Sequence, residues 1–146
     1  MTSIDKTAPG QTDSLLFELD LKHPPQKVWR ALTEPALLAQ WLLPVVGFKL
    51  EPGAAFTLTA QPQPGWDGIV NGRVAEIQEH SKLSYAWVVG ELDTVVTFTL
   101  APTETGTRLT VLQSGFKPEQ KRNWGGARYG WRMMSDKLVE LLATIP

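Results

Sequence analysis

Gly106-Thr-Arg-Leu-Thr-Val-Leu-Gln-Ser-Gly-Phe116 runs through Lys117-Pro-Glu-Gln-Lys-Arg-Asn-Trp124 into Gly125-Gly-Ala-Arg-Tyr-Gly-Trp-Arg-Met-Met-Ser-Asp-Lys-Leu-Val-Glu-Leu-Leu-Ala-Thr144, and the apolar period changes midway. Up to Gly115, Leu109, Val111 and Gln113 alternate with Arg108, Thr110 and Leu112, the spacing of a strand with one face buried. Beyond Phe116, Trp124, Ala127, Trp131, Met134, Leu138, Leu141 and Ile145 step by three and four residues. That spacing predicts a helix over 118–144 with one apolar stripe. Gly125, Gly126 and Gly130 each weaken its first half by roughly 1 kcal/mol relative to Ala, so this half is expected to bend or to sit over a space. A striped helix must bury its stripe, and the strands ahead of it are the available surface.

Working back toward the N-terminus, apolar alternation recurs between Gly, Pro, Asn and Asp punctuation from Gly47 to Gly115. It places antiparallel strands at about 47–51, 54–60, 68–79, 82–89, 93–101 and 106–115. Phe56, Leu58 and Ala60 share one face, as do Leu83, Tyr85, Trp87 and Val89, and Val96, Phe98 and Leu100 align with Leu109, Val111 and Gln113. Thr97, Thr99 and Thr110 fall on the opposite, wet face. Farther back, Pro25 and Pro35 open two short helices, with Val28, Trp29 and Leu32 inward on one and Leu37, Leu38 and Trp41 inward on the other. Thr33 or Glu34 caps the second, and Pro44 ends it. Leu15, Phe17, Leu19 and Leu21 alternate in a first strand over 14–21. The polar residues 1–13, with Pro9 and Gly10, read as a disordered tail, and the start lacks the character of a signal peptide. The whole reads as an α+β domain over 14–146, a curved antiparallel sheet wrapped around a long C-terminal helix.

The 146 residues suit one domain, which at that length buries roughly 70% of its extended surface without needing a crosslink. Zero cysteines exclude thiol catalysis and thiolate metal sites. With 14 Lys+Arg against 15 Asp+Glu, no global field draws nucleic acid or an anionic membrane. No apolar run nears the ~18 residues of a membrane span, so a cytoplasmic location with no membrane partner is expected. Six tryptophans point to a heavily aromatic core or to a cavity lined with rings.

Four stretches carry a family resemblance: Pro25-Gln-Lys-Val-Trp-Arg-Ala-Leu-Thr-Glu-Pro35, Leu38-Ala-Gln-Trp41, Gly72-Arg-Val-Ala-Glu-Ile77 with Lys82-Leu-Ser-Tyr-Ala-Trp87, and Gly106 to Phe116. Their order and spacing resemble the START-like (helix-grip, SRPBCC) superfamily. Within it they resemble the domains homologous to the C-terminal part of the activator of the Hsp90 ATPase, the AHSA1-like family. The sequence departs from the family pattern at Leu42, often a second aromatic, and at Gln113, often His or another polar residue. The resemblance implies a helix-grip fold with a cavity between sheet and helix, and its name suggests a chaperone partner and a place in stress response. It does not fix a substrate.

Trp41, Phe56, Leu58, Tyr85, Trp87, Phe98 and Val111, opposite Trp124, Trp131 and Met134, are candidate ligand-binding residues, with plain core packing as the competing reading. Gln113 is the polar group that alternation turns inward, where its amide must bond a neighbour or a ligand. Arg128 either reaches the cavity mouth or is a solvated residue on the helix edge. Trp66 is a lid or a cap on the end of the sheet. His23 and His80 read as turn residues, since neither has a second ligand at metal spacing, and no metal or cofactor is expected. Asn71-Gly72 looks like a hairpin turn, but the resemblance puts it inside a strand. Lys117, Lys121, Arg122, Arg128, Arg132 and Lys137 are spread round the helix, which reads as a solvated face rather than a nucleic-acid site. No phosphate-binding loop, dinucleotide glycine pattern, nucleophile elbow or zinc-protease motif is present. The expected function is therefore binding of a small hydrophobic or aromatic molecule. The alternatives are a chaperone-docking module and, less favoured, a cavity enzyme using Tyr85, Gln113, Glu76 or water; a homodimer is left open.

Overall fold

The computed structural model describes residues 3–62 and 66–146. Among these residues one antiparallel sheet has eight strands: β1 (Ser3–Asp5), β2 (Ser14–Leu21), β3 (Val45–Val46), β4 (Ala55–Thr59), β5 (Ile69–Gln78), β6 (Lys82–Val89), β7 (Leu92–Pro102) and β8 (Thr107–Ser114). They lie side by side in the order β1-β2-β8-β7-β6-β5-β4-β3. Helices α1 (Pro25–Thr33) and α2 (Pro35–Trp41) follow β2, and a 3-10 turn (Pro118–Gln120) leads into α3 (Lys121–Thr144). The expected α+β helix-grip architecture is present. Among the described residues no helix is long and apolar enough to cross a membrane.

Alternation sets which face α3 meets. In β8 the residues Thr107, Leu109, Val111 and Gln113 are buried and their neighbours are not. In β7, Leu92, Thr94, Val96, Phe98 and Leu100 do the same, and β7 pairs with β8 through Phe98↔Val111 and Val96↔Gln113. The helix docks on this face, where Phe98 meets Trp131 edge-on at 6.0 Å between ring centroids. Thr97 and Thr99 lie on the other side. Within α3, Trp131, Leu138 and Leu141 of the expected stripe are buried, joined by Ser135 and Leu142, while Trp124, Ala127 and Met134 are half-buried, as is Ile145 just past the helix end. The helix is unbroken through its glycines. Gln120 steadies its start, its side-chain oxygen accepting the Lys117 N–H at 2.9 Å.

Pro25 and Pro35 each stand at the first turn of their helices, as their missing N–H allows. Glu34 occupies the position before α2, yet its side chain makes no cap bond and instead pairs with Arg30 at 3.0 Å. The Trp41 indole donates to the Ala31 carbonyl at 2.8 Å and so fastens α2 to α1.

Two expectations change, and one ambiguity resolves. Residues 1–13 are not wholly an unstructured tail, because β1 pairs with β2 through Asp5↔Phe17 and Ile4↔Glu18. The Leu16 N–H donates to Thr7 Oγ1 at 3.1 Å, and Lys6 N–H to the Leu16 carbonyl at 2.8 Å. A three-residue strand has no period to read, so polar composition alone misled. The strand expected over 47–51 is instead Val45–Val46. Gly47, at φ 79°, turns the chain away, and Phe48 alone returns to pack on Phe56 at 5.1 Å. Asn71-Gly72 lies inside β5, as the resemblance implied and the dipeptide did not. Gly72 pairs with Phe56, and a Cβ there would fall 2.3 Å from that ring, so only glycine admits it.

Candidate functional site

At the end of the sheet where β6 turns into β7, the interior does not close. Trp87 near the end of β6, Gln113 near the end of β8 and the glycine-containing half of α3 stand around a cavity of about 860 Å³. Ala127, Trp131 and Met134 form its helix wall, with Gly126 and Gly130 between them. A Cβ at Gly126 would meet nothing within 4 Å, and one at Gly130 would only touch the Met134 methyl at 3.8 Å. The glycines thus deepen the cavity rather than permit close packing. Val70, Val89, Leu92, Leu43, Ala60 and Trp66 add to the apolar lining, with Asp67, Glu91 and Asn123 the charged or polar side chains beside them among the described residues.

A hydrogen-bonded line runs along one wall. The Trp131 indole donates to Gln113 Oε1 at 2.8 Å, Gln113 Nε2 donates to Thr94 Oγ1 at 3.0 Å, and the Thr94 hydroxyl donates to the Trp87 carbonyl at 2.8 Å. Gln113 and Thr94 are each 1% exposed, so these bonds satisfy groups that would otherwise be stranded. The line also fixes the Trp131 ring beside Trp87, with centroids 5.9 Å apart. Of the two partners open to Gln113, the structure supplies neighbours in the protein, Trp131 and Thr94.

Trp87, Gln113, Trp131 and Met134 line the cavity as the sequence suggested. Trp41, Leu58 and Val111 are buried core instead, as is the aromatic run of Phe56, Tyr85 and Phe98, whose successive rings meet at 5.1 and 5.8 Å. The Tyr85 hydroxyl has no partner among the described residues, and burial pushes its pKa up. Trp124 and Arg128 lie toward the opposite edge of the sheet. The Trp124 indole donates to the Ser14 carbonyl at 2.9 Å, Arg128 lies over its ring at 5.2 Å, and the Arg128 guanidinium pairs with Asp5. Arg128 is therefore neither at the cavity mouth nor free in solvent. Glu76 pairs with Lys82 at 3.2 Å on an exposed stretch and is not brought to Gln113 or Tyr85. His80 occupies a turn at φ 67° with its ring against Trp29, and His23 accepts from Lys27 at 3.1 Å. Burial and the Lys27 charge hold the His23 pKa down.

Sequence reasoning missed Val70, Leu43, Asp67, Glu91, Leu92 and Asn123. Val70 was readable from the alternation of its strand. The others sit on connections or at element ends, where no period says which way a side chain faces.

No functionally curated protein matches the chain. Solved structures do. A Mesorhizobium loti protein, MLL2253, is 40% identical and superposes with a TM-score of 0.84, covering 91% of this chain and 98% of its own. A Rhodobacter sphaeroides protein is 25% identical at a TM-score of 0.76, covering 99% of both chains. The Chromobacterium violaceum protein CV1439 is 25% identical at 0.74, covering 91% of this chain and 99% of its own. The family model described as "Activator of Hsp90 ATPase homolog 1-like protein" matches residues 22–143, from the end of β2 through nearly all of α3, and the chain belongs to that family.

Proposed function

We propose that the protein binds a small, largely hydrophobic or aromatic molecule between the sheet and α3. The observation that carries this reading is the cavity of about 860 Å³ walled by Trp87 and Trp131, where Gly126 lacks a Cβ that nothing would obstruct. Its volume suits a small organic guest, and an apolar concavity with few polar groups is the usual form of such sites. The family fold, which commonly holds hydrophobic ligands, points the same way.

Gly126→Leu tests it. The side chain enters open space and replaces a poor helix former with a good one, so the melting temperature is expected to hold or rise. Native mass spectrometry of protein purified from its own host should show a co-purified mass on the wild type that the variant lacks. A variant that retains that mass, or a wild type that takes up neither ethylnaphthalene nor a charged aromatic probe of the same shape, overturns the reading.

The family's description carries a second reading, docking of a chaperone on the outer surface. Tyr129 and Met133, one turn apart on α3 and 66% and 45% exposed, are the apolar pair that favours it. Tyr129→Ala with Met133→Ala should then abolish any effect on a chaperone ATPase rate while leaving ligand uptake intact.

A further inference from the structure

Which guest the cavity accepts follows from the charges around it. The amide of Gln113, the buried polar side chain among the described lining residues, is already held at both ends by Trp131 and Thr94, and the other neutral polar side chain among them, Asn123, is exposed. The ionisable side chains among the described lining residues are Asp67 and Glu91, both acidic; no Lys, Arg or His is among them. Asp67 Oδ1 accepts the Ile69 N–H at 3.0 Å, leaving its other oxygen without a protein partner among the described residues, and the Glu91 carboxylate makes no hydrogen bond or ion pair among them. Lys121 and Arg122, at the start of α3, are exposed and do not line the cavity.

An anionic guest would leave water for an apolar space whose free ionised groups repel it, which is costly without a paired cation. A cation meets the opposite: the indole rings of Trp87, Trp131 and Trp66 line the cavity, a ring type whose π face attracts positive charge, beside carboxylates that only accept hydrogen bonds. We infer that the cavity selects an aromatic or apolar molecule bearing an ammonium-type cation and discriminates against carboxylate or phosphate analogues of the same shape. This rests on the ligand-binding reading above and narrows it to a chemical class.

The test uses three matched probes, naphthylethylammonium, ethylnaphthalene and naphthylpropionate, titrated calorimetrically into the full chain. The ammonium compound is expected to bind about tenfold more tightly than the carboxylate, a ratio within reach of one cation–π contact and two exposed carboxylates. The ratio should shrink as salt rises from about 0.01 M to 0.15 M, where the screening length falls from about 30 Å to about 8 Å. In Asp67→Asn with Glu91→Gln it should fall to about twofold; the amide that replaces the Asp67 carboxylate keeps an oxygen to accept the Ile69 N–H, so folding is not at stake. A carboxylate that binds as tightly as the ammonium compound overturns the inference, as does a ratio that survives in the double variant. If ethylnaphthalene binds but charge makes no difference, the inference fails and the cavity reading stands. If none of the three binds, both fail.

Discussion

Phe98 and Trp87 both touch Trp131, from two sides, and their surroundings differ. Phe98 is 1% exposed, wedged among Trp131, Tyr85 and the edge of Trp41 at 6.3 Å. Trp87 is half-buried and borders open space. Both sit on inward positions of neighbouring strands, and both face the same helix. What separates them is cover. Over Phe98, α2 delivers Trp41, itself fastened to α1 through Ala31. Over Trp87, α3 offers Gly126 and Gly130 and no short helix reaches across. An aromatic stripe therefore does not distinguish a packed core from a binding cavity; the small residues opposite it, and the elements that do or do not cover it, decide.

Truncation tests this difference most severely. Phe98→Ala should cost about 3–5 kcal/mol, since a fully enclosed ring leaves a void that rigid neighbours cannot fill. Trp87→Ala removes a larger ring but one that already has empty space beside it, and should cost about half as much. Denaturant unfolding of the two variants measures both. Equal costs, or a larger one at Trp87, would mean that the cavity half is as tightly packed as the rest, and the comparison would collapse.

The same contrast explains what the sequence could and could not tell. The change of period at Phe116, the alternation in β6, β7 and β8 and the prolines opening α1 and α2 each report a local geometry, and the fold followed from them. Trp87, Gln113, Trp131 and Met134 are legible as inward-facing because they lie on regular elements whose inward face the period reveals, and the structure brings them to the cavity. Phe56, Tyr85 and Phe98 have the same period and are core, because the residues that enclose them come from far along the chain. Asp67 and Glu91 lie on connections, with no period at all. Arg128 was open to two readings, and neither anticipated Asp5, since its partner stands 123 positions earlier in a strand of three residues.

Gln113 gives a smaller and sharper test of the cavity half. Gln113→Leu keeps the volume but strands the Trp131 indole N–H and removes the amide from Thr94. A buried donor left without a partner costs about 1–2 kcal/mol, which in a domain of this size lowers the melting temperature by several degrees. Affinity for ethylnaphthalene, which has no group for the amide, should stay within about twofold. If the variant is as stable as the wild type, the hydrogen-bonded wall contributes nothing. If it is stable and loses affinity for a probe that carries a hydrogen-bonding group, Gln113 serves the guest rather than the scaffold.

The smallest expected effect lies across α3 from the cavity. There the first half of the helix is pinned rather than open: Trp124 is bonded to β2, and Arg128 and Arg132 both reach Asp5 of β1, the latter at 3.2 Å. Burial pushes the Asp5 carboxyl up, but the Arg128 guanidinium and the bonds from Thr7 outweigh it and hold its pKa at about 2, against an ordinary 3.8. A carboxyl whose pKa is lower in the folded chain than in the unfolded one stabilises the fold fully above the unfolded value, and the contribution is lost as pH falls toward the folded value. The loss therefore falls between about pH 4 and pH 2. Because Arg128 is itself 35% exposed, water screens the pair and the contribution is about 1 kcal/mol or less. Melting curves of wild type and Asp5→Asn should differ by a few degrees at pH 6 and converge near pH 2. Parallel curves at every pH would show that β1 is held by its backbone pairing with β2 alone, and that the two sides of α3 are less unlike than their side chains suggest.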